Sequence, residues 1–350
     1  MRYLVVRIGA YGDNIIITPL IRYLKTVEEA EVYVLTSEQQ GGEIFIHNPR
    51  IDKLIFHKKD SIDNSLLGDY FKSVAQAHEC DKVIDLCESI EMNLALHPND
   101  PRYKYPKYER QKLCDKNFYE ETFDYAGIKL VQIDFGNQIF GMKREDFFNP
   151  EMFFTEEENT FMADQLISDV GKFKIVWGLS GSSRQKVYPV EYILKVVEYC
   201  QKNYKDIVFY TVGDEICQVL EYSLEKFSNV RAKSGVWKMR QSILACKHAD
   251  IVISPDTGLL HGAGCFNTPK IGLISSNTIN NLTKYFIEDY SIQAEGVSCA
   301  PCFYLIYNAQ YQSQMAGDGM TPLCMAHGIS YKEIIRKIDN IYVKQTAPKA

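Results

Sequence analysis

The sequence predicts an α/β chain of two domains, each a mostly parallel sheet with helices on both faces, and three observations carry that reading. Its 350 residues exceed what one ordinary hydrophobic core organises and suit two domains of common size. Short apolar runs alternate with amphipathic segments and polar turns, the pattern of repeated strand-helix units. That rhythm gives way after Phe147-Phe-Asn-Pro150 and restarts at Lys174-Ile-Val-Trp-Gly-Leu179, which divides the chain into halves.

The first domain is read over residues 1–155. Tyr3 to Ile8 is an apolar run, Gly9-Ala-Tyr-Gly12-Asp13 is a loop with two glycines, and Asn14 to Lys25 spaces its apolar residues for a helix. Further strands are expected at Glu31 to Thr36, Lys53 to His57 and Lys82 to Leu86. Pro98 to Lys112, with its prolines, tyrosines and charges, reads as a loop-rich insertion. A polar helix over Glu156 to Val170 leads to the second domain, residues 172–330. Its strands are expected at Lys174 to Leu179, Ile207 to Val212, Asp250 to Ser254 and Lys270 to Ile274. Residues 331–350 form a closing helix, Tyr331 to Val343, and a frayed tail from Gln345 to Ala350.

Composition narrows the function classes. Apolar residues at 46% and charged residues at 24% describe a soluble globular protein rather than a disordered one. A net charge of -6 argues against a nucleic-acid partner, since neutralising phosphates needs a surplus of Lys and Arg. No stretch approaches the roughly 20 apolar residues of a membrane span, and the N-terminus carries no signal-peptide pattern. A cytoplasmic protein is expected, with at most peripheral contact at the inner face of the membrane. Of ten cysteines, Cys80, Cys87, Cys114, Cys200, Cys217, Cys246 and Cys265 are scattered singly and read as reduced thiols.

Three strings stand where ligands bind in open α/β sheets, between a strand and the helix that follows. In Gly9-Ala-Tyr-Gly12-Asp13 the third glycine of a dinucleotide fingerprint is missing and an acid stands in its place, which speaks against a Rossmann oxidoreductase. A carboxylate there is stabilised by free amides and the helix dipole, so Asp13 suits a helix cap as well as a general base. Ser180-Gly181-Ser182-Ser183 with Lys186 can hold phosphate oxygens, or form an ordinary polar loop. Asp256-Thr257-Gly258-Leu-Leu-His261 ends an apolar strand. Gly258 permits close backbone approach, Asp256 can accept from sugar hydroxyls, and His261 faces a phosphate or satisfies a buried contact.

Taken in order, these strings resemble a known family. Arg7-Ile-Gly-Ala-Tyr-Gly-Asp13 with Thr18-Pro19, Asn48-Pro49 with Ile51-Asp52, Lys186-Val-Tyr-Pro189, Lys238-Met239, and Asp256-Thr-Gly-Leu-Leu-His261 with Ala263 and Pro269 match the order and spacing of glycosyltransferase family 9. That family contains the ADP-heptose heptosyltransferases of bacterial lipopolysaccharide synthesis. The resemblance runs from the first residues to near Cys324 and implies a GT-B fold, two Rossmann-like domains facing each other across a cleft.

The resemblance further implies inverting, metal-independent transfer from a nucleotide-sugar donor, held by the C-terminal domain, to an acceptor held mainly by the N-terminal one. Asp13 is then the base that deprotonates the acceptor hydroxyl, with Tyr11 and Gly12 on the acceptor-side loop. Lys186, Ser182, Ser183 and the amides around Thr257 and Gly258 stabilise the leaving diphosphate. Glu215 binds ribose hydroxyls, Met239 packs near the base or sugar, and Asp256 holds sugar hydroxyls beside His261.

The chain departs from the family pattern at Tyr188, in place of a tryptophan, and at Ser275-Ser276, where a glycine is common; Thr278 keeps the place of a family threonine. Tyr11 and the stretch Tyr103-Lys-Tyr-Pro-Lys-Tyr108 read either as an acceptor surface unlike that of a standard inner-core enzyme or as solvated loop. Cys299, Cys302, Cys324 and His327 have the spacing of a tetrahedral zinc or iron site. A branch of related heptosyltransferases that modifies autotransporter proteins carries a cysteine-bound iron in this region, so a structural, non-catalytic metal is the alternative to free thiols. The expected function is heptose transfer from ADP-heptose to a glycan such as lipopolysaccharide core, with no cofactor required for catalysis. The alternatives are another sugar, a protein acceptor, or a non-catalytic nucleotide-sugar-binding protein.

Overall fold

The computed structural model describes residues 1–57, 62, 66–88, 116–129, 138–139, 141–181, 186–303 and 321–347. The chain divides into two compact units, one built on Met1–Phe153 and the other on Phe154–Cys302 with the C-terminal helix.

Among the described residues, unit 1 carries a four-stranded sheet of β1 (Arg2–Arg7), β2 (Glu31–Ser37), β3 (Lys53–His57) and β4 (Lys82–Asp85), ordered β3-β2-β1-β4 and parallel throughout. Leu4, Val5 and Val6 of β1 are fully buried, because helices cover both sheet faces and every side chain of the central strand points into a core. Leu67, Phe71 and Ala75, at helical spacing on the helix Leu67–Ala77, pack against Leu4, Val6 and Leu35. A small antiparallel pair, β5 (Gln138–Ile139) and β6 (Met142–Lys143), follows. The single helix expected over Asn14 to Lys25 is two, Tyr11–Ile16 and Thr18–Thr26. Pro19 has no N–H for the helical ladder, and the Thr18 hydroxyl donates instead to the Ile15 carbonyl at 2.8 Å.

Among the described residues, unit 2 has a six-stranded sheet of β7 (Phe173–Gly178), β8 (Ile207–Val212), β9 (Val230–Ala232), β10 (Ile251–Pro255), β11 (Lys270–Ile274) and β12 (Ile292–Gln293). Its order is β12-β11-β10-β7-β8-β9, again parallel. The sequence reading lacks β9 and β12, which at three and two residues are too short to show a period. The polar helix expected to reach Val170 ends at Leu166 and tightens into a 3-10 turn, Ile167–Asp169. The closing helix runs on to Thr346, past the expected end at Val343. Its Ile334, Ile338 and Ile341 are buried in the same core as Ile193, Val196, Val197 and Cys200 of the helix Val190–Asn203, a gain of about 1.5–3 kcal/mol per side chain.

The strand order places the site. From β1 the chain builds β2 and β3 on one side and β4 on the other; from β7 it builds β8 and β9 on one side and β10 to β12 on the other. Loops diverge where the order reverses, beyond the carboxyl ends of β1 and β4 and of β7 and β10, which is where ligands bind in open α/β sheets. No described helix is long and apolar enough to cross a membrane.

Candidate active site

In unit 1 the reversal point is occupied by Asp13. Residues 8–10 carry the chain from β1 into the helix Tyr11–Ile16, and Asp13 lies in its first turn. Its Oδ2 accepts the Ala10 N–H at 2.7 Å, and its Oδ1 lies 3.2 Å from Arg7 Nη2, with the Arg7 and Asp13 side chains 4% and 12% exposed. Arg7 also donates to the Leu86 carbonyl at 2.6 Å, and the Ile8 N–H points to Cys87 Sγ at 3.2 Å, which ties the end of β1 to the turn after β4. Asn14 braces the loop from beneath, donating to the Gly9 and Ala10 carbonyls at 3.1 and 2.8 Å while its Oδ1 accepts the Thr36 hydroxyl at 2.9 Å. A Cβ on Gly9 would lie 2.6 Å from Asp13 Oδ2, so glycine is what lets the loop pass over the carboxylate. Asp13 therefore does cap its helix. Each carboxylate oxygen accepts at two lone pairs, so the cap and the ion pair leave acceptor capacity for another proton donor. Tyr11 and Gly12 are half-buried beside it, and burial, with Glu43 as a hydrogen-bonded neighbour, pushes the Tyr11 phenol up to about 12.

In unit 2 the reversal point is occupied by Lys186 and Asp256. Lys186 Nζ lies 3.4 Å from Asp256 Oδ2, with both side chains nearly buried. His261, on the helix Gly258–Ala263, brings Nε2 to 3.4 Å from Asp256 Oδ1, and Asn277 Nδ2 donates to Oδ2 at 3.4 Å. Burial alone would push the Asp256 carboxyl up. Lys186, then His261 and Asn277, outweigh it and hold the carboxyl well below its usual range. Thr257 stands at the N-cap position between β10 and that helix, its hydroxyl turned to that of Ser254 at 3.0 Å rather than to the helix amides. The loop after β7 presses against this turn: a Cβ on Gly181 would meet Thr257 Cγ2 at 2.7 Å and Lys186 Cδ at 2.8 Å. An ammonium has three protons, so a pair with Asp256 leaves donors on Lys186 for an anion.

The fold thus gathers Lys186, Asp256, Thr257, Gly258 and His261. Ser182 and Ser183 lie outside the described residues, as do Cys114 and the Tyr103 to Tyr108 stretch. Glu215 and Met239 stand further along the same carboxyl edge. Glu215 is exposed after β8, 3.0 Å from where a Gly235 Cβ would be, and Met239 is half-buried at the start of its helix. Sequence reasoning did not single out Asn277 or the Arg7 partnership with Asp13. The one available signal was the polar run Ser275-Ser-Asn277-Thr278 directly after an apolar strand.

The metal set held open as the alternative to free thiols at Cys299, Cys302, Cys324 and His327 is not assembled among the described residues. Among the described residues no group of three or more His, Cys, Asp or Glu side chains is placed to hold a metal ion. Cys302 and Cys324 are buried while His327 is exposed. Burial, with Cys299 and Cys302 as neighbours, pushes the Cys324 thiol up to about 11 in spite of a hydrogen bond with Ser275.

Comparison with known proteins agrees with this layout. The sequence profile of glycosyltransferase family 9 (heptosyltransferase) matches residues 133–305. No curated protein matches the chain. Among solved structures, the glycosyl transferase family 9 protein of Veillonella parvula DSM 2008 superposes with a TM-score of 0.67 at 13% identity, over 98% of this chain and 97% of that one. ADP-heptose lps heptosyltransferase II of E. coli gives 0.65 at 13% identity, over 99% and 100%. The iron-containing dodecameric glycosyltransferase TibC from enterotoxigenic E. coli H10407 gives 0.59 at 10% identity, over 100% and 80%. At such identities the superpositions speak for the fold, a GT-B fold of two Rossmann-like domains. The chain thus resembles glycosyltransferase family 9 in its profile over residues 133–305 and shares the fold of family 9 structures over nearly its whole length.

Proposed function

We propose that this enzyme moves a heptose from ADP-heptose to a hydroxyl of a glycan acceptor of the lipopolysaccharide-core type, with inversion and without a catalytic metal. The observation that carries the reading is the buried Lys186–Asp256 pair beside a helix N-terminus at the reversal point of the unit 2 sheet. It sets a cation and backbone amides, suited to a diphosphate, next to a carboxylate suited to sugar hydroxyls. The family's heptosyltransferase character and the ADP-heptose enzyme among the structural relatives support the choice of donor.

In this reading unit 2 holds the donor and unit 1 supplies the base. Asp13 takes the proton of the acceptor hydroxyl as its oxygen attacks the anomeric carbon. The bond from that carbon to the diphosphate breaks on the opposite face, and the nucleoside diphosphate leaves with the bonding electrons. Charge growing on the leaving oxygen is met by Lys186 and the amides at Thr257-Gly258, in the role a divalent cation plays elsewhere. Glu215 binds the ribose and Met239 packs near the base or sugar.

A calorimetric screen of ADP-, GDP- and UDP-sugars tests the donor, and ADP release with a lipopolysaccharide core acceptor in the presence of EDTA tests the rest. Binding confined to ADP-heptose, with chelator-resistant turnover, is expected. Failure of every ADP-sugar to bind would overturn the heptose assignment.

A further inference from the structure

The loop after β11 is polar and yet closed to solvent: Ser275, Ser276 and Asn277 are all buried. Buried polar groups are costly unless hydrogen-bonded, so the bonds made here reveal how the loop is held. Gln293, at the end of β12, clamps it. Its Nε2 donates to the Ile274 and Asn277 carbonyls at 3.3 and 3.0 Å, and its Oε1 accepts the Ile279 N–H at 3.0 Å. The backbone is therefore fastened before, at and after Asn277. From that fixed base the Asn277 side chain reaches Asp256 Oδ2, the oxygen that also faces Lys186 Nζ. His261 faces the other oxygen.

We propose that Asn277, held by Gln293, is a positioning residue that fixes the Asp256 carboxylate for the hydroxyls of the transferred sugar, so that the site favours the nucleotide sugar over the bare nucleotide. The inference rests on the donor site assigned above. Lys186 draws Asp256 towards the position of the diphosphate, since an ion pair acts without strict direction. A carboxylate selects hydroxyls only when its lone pairs are aimed, and misplacement by about half an ångström is enough to lose that selection. Asn277 supplies a directed bond from the β11 side. Being neutral, it shares the Oδ2 acceptor with Lys186 without adding a second charge beside it.

Calorimetry on the full chain with ADP alone and with ADP-heptose separates the possibilities. The wild-type protein is expected to bind ADP-heptose more tightly than ADP. Asn277→Ala should keep ADP affinity within about twofold and lose about tenfold for ADP-heptose, the lower end of what a hydrogen bond to a charged group contributes. Asn277→Thr, which retains a donor, should recover part of the difference. Where Asn277→Ala fails to fold, Gln293→Ala loosens the clamp without removing the donor and must show the same split. Equal weakening of both ligands would reduce Asn277 to a structural role, and unchanged affinities would remove it altogether; either overturns the proposal. A wild-type protein that binds no ADP-sugar is a different result, which overturns the donor reading itself.

Discussion

Lys186 and Asp256 form a buried ion pair, 3.4 Å from Nζ to Oδ2, between loops that follow two adjacent strands, β7 and β10, far apart in the chain. Taking both charges out of water is costly, and their attraction offsets the cost only while both remain. Asp256→Leu alone should therefore destabilise unit 2 by about 3–5 kcal/mol, because it leaves the Lys186 ammonium buried and uncompensated, whereas Lys186→Met alone should cost less, since His261 and Asn277 still face Asp256. The double variant Lys186→Met with Asp256→Leu should regain most of that stability and none of the activity. Thermal unfolding beside a transfer assay checks both. A double variant as unstable as the sum of the singles would refute the pairing.

Asp13→Asn keeps the side-chain volume and an oxygen for the Ala10 N–H but removes the base. Transfer should fall by about 10²–10⁴, the range for losing a general base, with donor affinity unchanged. Measuring kcat alongside calorimetric donor binding decides it. A variant of near-normal kcat would leave Asp13 only its cap and its pairing with Arg7.

Gly181→Ala puts a methyl 2.7 Å from Thr257 Cγ2 and 2.8 Å from Lys186 Cδ. The Thr257 turn belongs to a packed helix N-terminus and yields less readily than a lysine stem, so the Lys186 loop should be displaced. Donor affinity should drop at least about tenfold, and Thr257→Ser, which removes Cγ2, should restore part of it. Titration of the single and double variants with ADP is the measurement; equal affinity for Gly181→Ala and wild type would show that the loop accommodates the methyl freely.

Asp169 predicts an acid limit to stability. It is fully buried in unit 2 and accepts from Lys172 at 2.7 Å, the Tyr210 hydroxyl at 2.7 Å and Arg231 at 3.0 and 3.1 Å. Burial would push its carboxyl up, but these partners outweigh it and lower the pKa from 3.8 to about 2. A folded pKa below the unfolded one means the unfolded chain binds more protons between those values, so stability falls as pH falls. The contribution is whole above 3.8 and disappears as pH drops through about 2. Asp169→Asn should accordingly unfold earlier than wild type near neutrality, with the gap in Tm closing over that acidic window. A gap independent of pH would show that the carboxylate charge is not what stabilises the native state.

How far sequence alone reached follows from the range of the forces involved. The runs Leu4-Val-Val6 and Ile251-Val-Ile253 announce buried parallel strands, because every side chain in such a strand must be apolar whatever its neighbours turn out to be. The turns that hold Asp13, Lys186 and Asp256 were legible for the same reason: each is a local strand-to-helix junction, and the ordered motifs added the resemblance to a family. Tertiary structure alone decided what those residues touch. The sheet order sets β7 beside β10 and so joins Lys186 to Asp256, and it sets β11 next in line, which brings Asn277 to the same carboxylate. Arg7 meets Asp13 because β1 ends under its own loop, and the helix expected as one piece breaks at Thr18-Pro19 where the ladder lacks a donor. Spacing of Cys299, Cys302, Cys324 and His327 suited a metal, yet spacing fixes only reach; the fold buried Cys324 against Ser275 and left His327 exposed. The loop around Asp13 by itself supported a helix cap, which it makes. Its proposed role as a base depends on contacts that no local pattern encodes, since pairings between distant segments are settled by packing of the whole chain.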